Sequence, residues 1–355
     1  MGARVMILAG GTGGHVYPAL AVAEELRERG CTIRWMGTPA GLEARVVPAA
    51  GFPVDWLAVG GFRGKGLATK LAVPFRLLRA CWQAAAHLRR FRPQVVLGMG
   101  GFVAGPGGVM ARLLGIPLVI HEQNRIPGTT NRFLVNCAHT VLEAFPGSFS
   151  ARAGARAVGN PLRKSLVAGS AVVREAPGSV IHLLIVGGSL GAQVLNRVVP
   201  EAVGPLAPGL RVRHQTGAAM QAETEARYRE LGVEAEVVAF IDDMEAAYRW
   251  ADLAICRAGA MTVSELAAMG LPAVLVPFPF AIDDHQTANA RYLADRDAAV
   301  LLPQSDLTPS QLSEILRRFC QRPEMLLPLS ERLKSLAQLE ATAAVCDAAL
   351  AEGAA

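Results

Sequence analysis

The stretch that decides the fold runs from Ala251 to Asn289: ADLAICRAGAMTVSELAAMGLPAVLVPFPFAIDDHQTAN. It reads as a strand (Asp252 to Cys256), a glycine-containing loop (Arg257 to Met261), a helix and a second strand ending in proline. A polar segment, Asp283 to Asn289, follows. A strand, a tight loop and a helix start in this order place free backbone N–H groups and the positive end of a helix dipole where an anion can sit. Ligands of open α/β sheets bind at that same end of the strands. The stretch therefore predicts half of a nucleotide site.

At 355 residues the chain is long for one core, and 52% of it is hydrophobic, so two α/β domains are expected. The formal net charge is +5 and the pI about 9.1. Almost all of the 35 basic residues are arginine, which reads partly as compositional bias, so the placement of charge matters more than its sum. The six cysteines lie far apart, with no CxxC pair and no Cys/His cluster. Neither zinc nor a disulfide framework is expected, and a reducing compartment is. Val5 to Ala9 enters a glycine loop rather than a cleavage site, so no secretory leader is expected. The longest apolar run, Leu266 to Ile282, contains Gly270, Pro272, Pro277 and Pro279 and suits a helix end plus a buried strand, not a membrane span.

From the N-terminus, Val5 to Ala9 is a short buried-strand pattern leading into Gly10-Gly11-Thr12-Gly13-Gly14-His15. A helix follows to Arg29, with Pro18 expected in its first turn, and Thr32 to Met36 is the next strand. Val16 replaces the third glycine of a dinucleotide fingerprint, and the second strand ends in Gly37-Thr38 with no acid for a ribose, so the loop is off-pattern for NAD. Val95 to Gly98 leads to the glycine-rich run Gly100 to Gly108, and Leu118 to Ile120 to His121-Glu122-Gln123-Asn124. Gly159-Asn160-Pro161 is turn chemistry and a candidate hinge, and Ala168 to Ser179 has little pattern. The opening pattern then restarts: Ile181 to Val186 enters Gly187-Gly188-Ser189-Leu190-Gly191-Ala192, which matches Gly10 to Gly187. Two such openings imply two similar doubly wound domains.

Residues 56 to 121 contain no Asp or Glu. They contain nine bases from Arg63 to Arg112, interleaved with Leu67, Leu71, Val73, Phe75, Leu77, Leu78 and Trp82. Such a segment can lie on an anionic membrane surface, or be an amphipathic helix with a solvated basic face. No RNP, KH or zinc pattern accompanies the charge, so nucleic acid is not an expected partner.

Seven motifs resemble those of the MurG family, the N-acetylglucosaminyltransferases of peptidoglycan synthesis, in order and spacing. They are the loop 10–15, Gly60-Gly61-Phe62-Arg63-Gly64-Lys65-Gly66, Gly100-Gly101-Phe102-Val103-Ala104-Gly105-Pro106, His121-Glu122-Gln123-Asn124, Gly159-Asn160-Pro161-Leu162-Arg163, Gly187-Gly188-Ser189 and the segment from Arg257 to Glu265. Together they span about residues 5 to 340. Leu190 stands where the family commonly has Gln, and Phe62 where Leu is usual. The resemblance implies a GT-B fold, in which two Rossmann-like doubly wound parallel-sheet domains face a cleft. The implied domains are an N-terminal acceptor- and membrane-binding domain (1–160) and a C-terminal UDP-GlcNAc-binding domain (161–336). A final helix of about 337–355 is expected to pack back on the first.

The implied reaction moves GlcNAc, with inversion, from UDP-GlcNAc to the 4-hydroxyl of MurNAc in lipid I, giving lipid II. The expected location is the cytoplasmic face of the cell (inner) membrane, as a peripheral protein. Expected partners are UDP-GlcNAc, lipid I, an anionic membrane and other cell-wall synthesis proteins. Alternatives are another GT-B UDP-sugar enzyme, such as a UDP-GlcNAc 2-epimerase, or a non-catalytic membrane-peripheral scaffold.

The resemblance assigns UDP-GlcNAc contacts to Thr12, Gly13, Gly14, Asn124, Arg163, Ser189, Ile241, Ala260, Met261, Thr262, Val263, Ser264, Glu265, Gln286 and Asn289. Glu265 suits the two ribose hydroxyls, although Thr262-x-x-Glu265 also has capping-box spacing. Gln286 and Asn289 suit sugar hydroxyls, because an amide both donates and accepts. Gly13, Gly14, Gly100, Gly101 and Gly105 are candidates for the acceptor diphosphate. His15, at a helix start beside the glycine loop, is the first candidate base, with His121 and Glu122 behind it. Lys70, Leu71, Phe75, Leu78, Arg79 and Trp82 are candidates for the membrane face. No metal or cofactor is expected to be required, with room for stimulation by a divalent cation. Asp295-Arg296-Asp297, the formal DxD, lies at a helix end and reads as a decoy.

Overall fold

The computed structural model describes residues 2–58, 73–188 and 191–354. Ser189, Leu190, Lys70, Leu71 and the motif 60–66 lie outside them. The chain divides into two compact units, Met1–Arg163 with Gln338–Ala355, and Lys164–Ala337. The expected boundary at 160/161 compares with 163/164, which leaves Arg163 in the first unit.

The first unit is built on a parallel sheet of β1 (Arg4–Leu8), β2 (Thr32–Gly37), β3 (Val54–Trp56), β4 (Val95–Gly98), β5 (Leu118–Glu122), β6 (Thr140–Glu143) and β7 (Arg156–Ala157), in the order 3-2-1-4-5-6-7. Central strands such as β4 and β5 are buried along their whole length, as strands covered on both faces must be. The helices are α1 (Gly13–Glu28), α2 (Glu43–Ala49), α3 (Val73–Phe91), α4 (Ala104–Leu113) and α5 (Thr129–Leu134).

One expectation changes here. α1 begins at Gly13 with Thr12 as its N-cap, so Pro18 lies inside the helix rather than in its first turn. The two glycines read as loop, but the short link from β1 leaves no chain to spare and the backbone winds at once. Pro18 has no N–H to give the carbonyl of Gly14, four residues earlier.

The second unit repeats the architecture with β8 (Ile181–Val186), β9 (Leu210–Gln215), β10 (Ala235–Val238), β11 (Leu253–Cys256), β12 (Ala273–Leu275) and β13 (Val300–Leu301), all parallel, in the order 10-9-8-11-12-13. Its helices include α6 (Lys164–Gly169), α7 (Gln193–Val203), α8 (Gln221–Glu230), α9 (Met244–Trp250), α10 (Ala260–Met269), α11 (His285–Ala294), α12 (Pro309–Gln321) and α13 (Leu326–Ser335). Gly191 shows why the β8–α7 turn needs glycine: its φ is +77°, and a Cβ there would lie 1.9 Å from the Thr216 carbonyl oxygen. The patternless stretch before β8 supplies Arg174, whose half-buried guanidinium donates to the carbonyls of Tyr248 (2.7 Å) and Met269 (2.9 Å) at the ends of α9 and α10. The last helix, α14 (Ala341–Ala354), returns to the first unit, where Val345, Cys346 and Ala349 join the core beneath α1 and β4.

A buried polar triad closes the β9 side of the second unit. His214 has no exposed surface. Its Nδ1 accepts from the Tyr228 hydroxyl at 2.9 Å. Its Nε2 donates to Asn196 Oδ1 at 3.1 Å, and Asn196 Nδ2 donates to the Thr216 carbonyl at 3.0 Å. Burial pushes the His214 pKa down to about 3. The unfolded chain therefore takes up a proton below pH 6.5 that the folded unit refuses until about pH 3. Stability is lost as pH falls through that window, by about 1.4 kcal/mol per pH unit. Urea midpoints measured between pH 7 and pH 5 should fall accordingly, and His214→Gln should flatten the decline by one proton; an equally steep variant would exclude His214 as its source.

Candidate functional site

In the second unit, a pocket of about 530 Å³ opens at the carboxyl ends of β8 and β11. Gly187, Gly188 and Gly191 of the β8–α7 turn line one side. Gly259 and Thr262 at the start of α10 line another, with Phe278, Phe280 and Gln286 beyond them. The size falls within the ~300–1,000 Å³ of small-molecule sites.

α10 starts directly after β11 and the loop 257–259. Its N-cap is Gly259, with extended backbone (φ −63°, ψ 146°) and no capping side chain. Thr262 therefore sits three residues inside the helix, and the capping-box reading of Thr262 and Glu265 is excluded. The Glu265 carboxylate accepts from the Tyr248 hydroxyl of α9 at 2.8 Å. Ala260 and Val263 are buried and face the core, so only their backbones can meet a ligand. Met261, Thr262, Ser264 and Glu265 are partly exposed.

Two residues of the signature stretch brace the site, Arg257 as part of the pocket lining and Asn289 from the buried side. Arg257 donates to the carbonyls of Val276 (3.0 Å) and Pro277 (3.1 Å) and to Gln304 Oε1 (2.8 Å), and its guanidinium lies 5.4 Å from the Phe278 ring. Asn289 has no exposed surface and donates to the Ala258 carbonyl at 3.2 Å. It holds the loop that precedes α10. Gln286, on the same helix, does line the pocket, and its Oε1 accepts from the Phe278 amide at 2.9 Å. Ile241, partly exposed, follows β10. Phe278, Phe280 and Gln304 were not picked out by sequence; the Pro277–Pro279 run gave no periodicity to place them. Asp295 and Asp297 are exposed at the carboxyl end of α11, not after a strand.

In the first unit, His15 is partly exposed in the first turn of α1. Its Nδ1 is 2.9 Å from Gln123 Oε1. Gly100 lies against the imidazole: a Cβ there would come within 2.6 Å of His15 Nδ1, and one on Gly101 within 2.2 Å of the Gly10 carbonyl oxygen. These two glycines are thus demanded by close approach of two loops. Gly105 already belongs to the first turn of α4, so the expected open run to Gly108 ends at Val103, and Gly107 and Gly108 are buried inside the helix.

The loop 10–14 has an occupant. Glu43 is fully buried, and its carboxylate accepts from the amides of Gly11 (2.9 Å) and Thr38 (2.8 Å) and from the Thr38 hydroxyl (2.7 Å). Thr12, Gly13 and Gly14 remain at the helix start, where first-turn amides have no helical partner.

Neither runner-up base presents a lone pair to solvent. Glu122 is 1% exposed and accepts from the amides of Asn124 (2.9 Å) and Gly128 (3.0 Å) and from Asn131 Nδ2 (2.9 Å). His121 is fully buried, donates from Nε2 to the Gly159 carbonyl at 2.8 Å, and is pushed down to about 4 by burial. Arg163 extends over the Tyr17 ring of α1 at 5.9 Å.

On α3, Ala80, Ala84 and Leu88 are buried, while Phe75 (76%), Leu78 (67%) and Trp82 (73%) stand exposed beside Arg76 and Arg79. α4 packs on both α3 and α5, adding exposed Leu113 and Phe133 with Arg112 and Arg132. Arg90 is not part of this face; it pairs with Asp55 at 2.6 Å, as does Arg34. No described helix is long and apolar enough to cross a membrane.

Comparison with known proteins agrees with this division. Residues 5–143 match the glycosyltransferase family 28 N-terminal domain, and residues 182–344 the family's C-terminal domain. A Methylococcus capsulatus protein named UDP-N-acetylglucosamine–N-acetylmuramyl-(pentapeptide) pyrophosphoryl-undecaprenol N-acetylglucosamine transferase is 59% identical over 99% of each chain. The crystal structure of Acinetobacter baumannii MurG superposes with a TM-score of 0.84 at 40% identity, covering 98% of this chain and 99% of that one. A UDP-N-acetylglucosamine 2-epimerase structure reaches 0.65 at 12% identity, covering 97% and 94%, a likeness of fold alone. With two doubly wound units of GT-B type and full-length identity of this order, the chain belongs to glycosyltransferase family 28, within its MurG branch.

Proposed function

We propose that the protein transfers GlcNAc from UDP-GlcNAc to the 4-hydroxyl of MurNAc in lipid I, with inversion, to make lipid II for peptidoglycan. The observation that carries this reading is 59% identity along the full length of a relative named for that transfer. The pocket in the second unit fits the donor. The uncapped start of α10 offers amides and a positive dipole end to the diphosphate, which stabilises charge as UDP departs and does so without a metal or other cofactor. Glu265, oriented by Tyr248, accepts from the ribose hydroxyls, and Gln286 meets the sugar.

The acceptor belongs to the first unit in this reading. The MurNAc 4-hydroxyl attacks the anomeric carbon of GlcNAc from the face opposite UDP. Its proton passes to His15 as the new C–O bond forms, and the bond to UDP breaks with its electron pair on the diphosphate. The exposed apolar side chains and arginines of α3, α4 and α5 seat the protein on the anionic cytoplasmic leaflet of the cell membrane, where the acceptor's lipid lies. Other cell-wall synthesis proteins are partners consistent with that location.

Purified protein given UDP-GlcNAc and a soluble lipid I analogue should release UDP and form the disaccharide. No UDP release would sink the reading, and ManNAc made from UDP-GlcNAc alone would replace it with the epimerase.

Two variants separate the proposed roles. Glu265→Ala should raise the donor KM about ten- to a hundredfold, the worth of hydrogen bonds to a charged group, with a smaller change in kcat. His15→Ala should lower kcat by about 10²–10⁴-fold. An unchanged kcat in the latter rules His15 out as base.

Membrane seating is read by sedimentation with vesicles containing anionic lipid. Leu78→Glu and Trp82→Glu should each weaken binding about tenfold or more, because each withdraws a large apolar side chain from the interface. Unaltered sedimentation in both would remove α3 from the membrane face.

A further inference from the structure

A chain of four groups runs from the core of the first unit to the partly exposed ring of His15. It starts at the Gly159 carbonyl, passes through His121 and Gln123, and ends on His15 Nδ1. We infer that Gln123 and His121 are positioning residues that fix the His15 imidazole in the tautomer with Nδ1 protonated and Nε2 bare. The inference deepens the reading of His15 as base and rests on it for its catalytic meaning.

The proton positions follow from what each atom can do. The Gly159 carbonyl only accepts, so His121 Nε2, 2.8 Å away, must carry the hydrogen. A fully buried imidazole held neutral has one N–H, so His121 Nδ1 is a bare acceptor. Gln123 Nε2 is 3.0 Å from that nitrogen and 3.2 Å from the His121 carbonyl oxygen. Both are acceptors, which fixes the orientation of the amide: nitrogen toward His121, oxygen toward His15. Gln123 Oε1 then faces His15 Nδ1 at 2.9 Å and can only accept from it. A neutral His15 with its hydrogen on Nδ1 has its lone pair on Nε2.

The surroundings hold this arrangement in place. Gln123 has no exposed surface, so water does not compete for its amide. The Gln123 carbonyl accepts from Asn160 Nδ2 at 3.1 Å, and the His121 carbonyl from Asn131 Nδ2 at 3.1 Å. Gly159 keeps a φ of +86°, and a Cβ there would lie 2.3 Å from Gln338 Cβ, so its carbonyl direction is set by backbone that only glycine fits. The absent Cβ of Gly100 leaves room for the His15 ring edge. Free imidazole side chains in water favour the opposite tautomer, with Nε2 protonated. The relay therefore selects the minority form, which is the form able to take a proton at Nε2. Gln123 orients the ring and stabilises the imidazolium through Oε1; an amide does not itself carry the proton onward.

The magnitude can be bounded. In serine proteases an enforced wrong tautomer of the base costs ~10⁴ in kcat. Losing a preference costs less, so Gln123→Met should lower kcat about ten- to a hundredfold and leave the donor KM nearly unchanged. Gln123→Glu, whose carboxyl still accepts from Nδ1, should recover a large part of that loss. A purely structural role would give no such recovery.

The direct test is long-range ¹H–¹⁵N correlation NMR of ¹⁵N-labelled full-length protein, with the His15 signals assigned by their disappearance in His15→Ala. The wild type should show the Nδ1–H form, and Gln123→Met the Nε2–H form or a mixture. A wild-type ring already in the Nε2–H form overturns the inference without any variant. So does Gln123→Met with unaltered tautomer and kcat. These outcomes are distinct from failure of the base reading: a His15→Ala enzyme with normal kcat would remove His15 from catalysis even if the tautomer were as inferred.

Discussion

Each unit depends on a loop approaching backbone so closely that no side chain fits between. A Cβ on Gly191 would lie 1.9 Å from the Thr216 carbonyl oxygen, and one on Gly101 would lie 2.2 Å from that of Gly10. Both contacts join the turn after a unit's first strand to the turn after its neighbour in the sheet, β9 in one case and β4 in the other. Parallel strands bring these turns to one edge, and glycine lets them interleave there. The pocket beside Gly191 and the seat of the His15 ring beside Gly100 both follow from that packing.

Loops packed this way have amides that need partners, and buried side chains supply them. Glu43 holds the turns after β1 and β2 together, and Glu122 holds the turn after β5 to the start of α5. A buried carboxylate is costly unless its lone pairs are filled; those of Glu43 are filled by two backbone amides and a hydroxyl, and those of Glu122 by backbone amides and asparagine side chains together. Asn131, Asn160 and Asn289 do the same work for carbonyls. Much of the polar content of the signature motifs is thus consumed in holding loops, in a layer beneath the exposed surface.

That layer marks the limit of what the sequence reveals. The two sheets, their restart at Ile181 and the strand–loop–helix at Cys256–Ala260 are legible because buried parallel strands are continuous apolar runs and the turns that follow them are glycine-rich. Side-chain destinations are not periodic. Gln123 and His15 are 108 residues apart and meet through the sheet, so no local pattern announces the pair. Asn289 and Gln286 lie one turn apart on α11 and look equivalent in sequence, yet one is sealed in and the other faces the pocket. Thr262 and Glu265 have capping-box spacing, but the cap is set by where the backbone leaves its extended conformation, at Gly259. Arg90 sits in a segment without acids and still finds Asp55, just outside it.

The matched glycines Gly11 and Gly188 show how one turn geometry can serve two ends. Their φ values are +93° and +91°. In the first unit the Gly11 amide is spent on Glu43, a carboxylate the chain itself provides. An anionic ligand at that amide would have to displace a buried carboxylate. In the second unit Gly188 lines the open pocket, opposite a helix start with no capping side chain. The Gly11 amide is filled internally whereas Gly188 lines a pocket, so the same backbone conformation closes one place and borders another. The first unit instead sets the His15 ring beside the loop, with its Nδ1 against Gln123 Oε1.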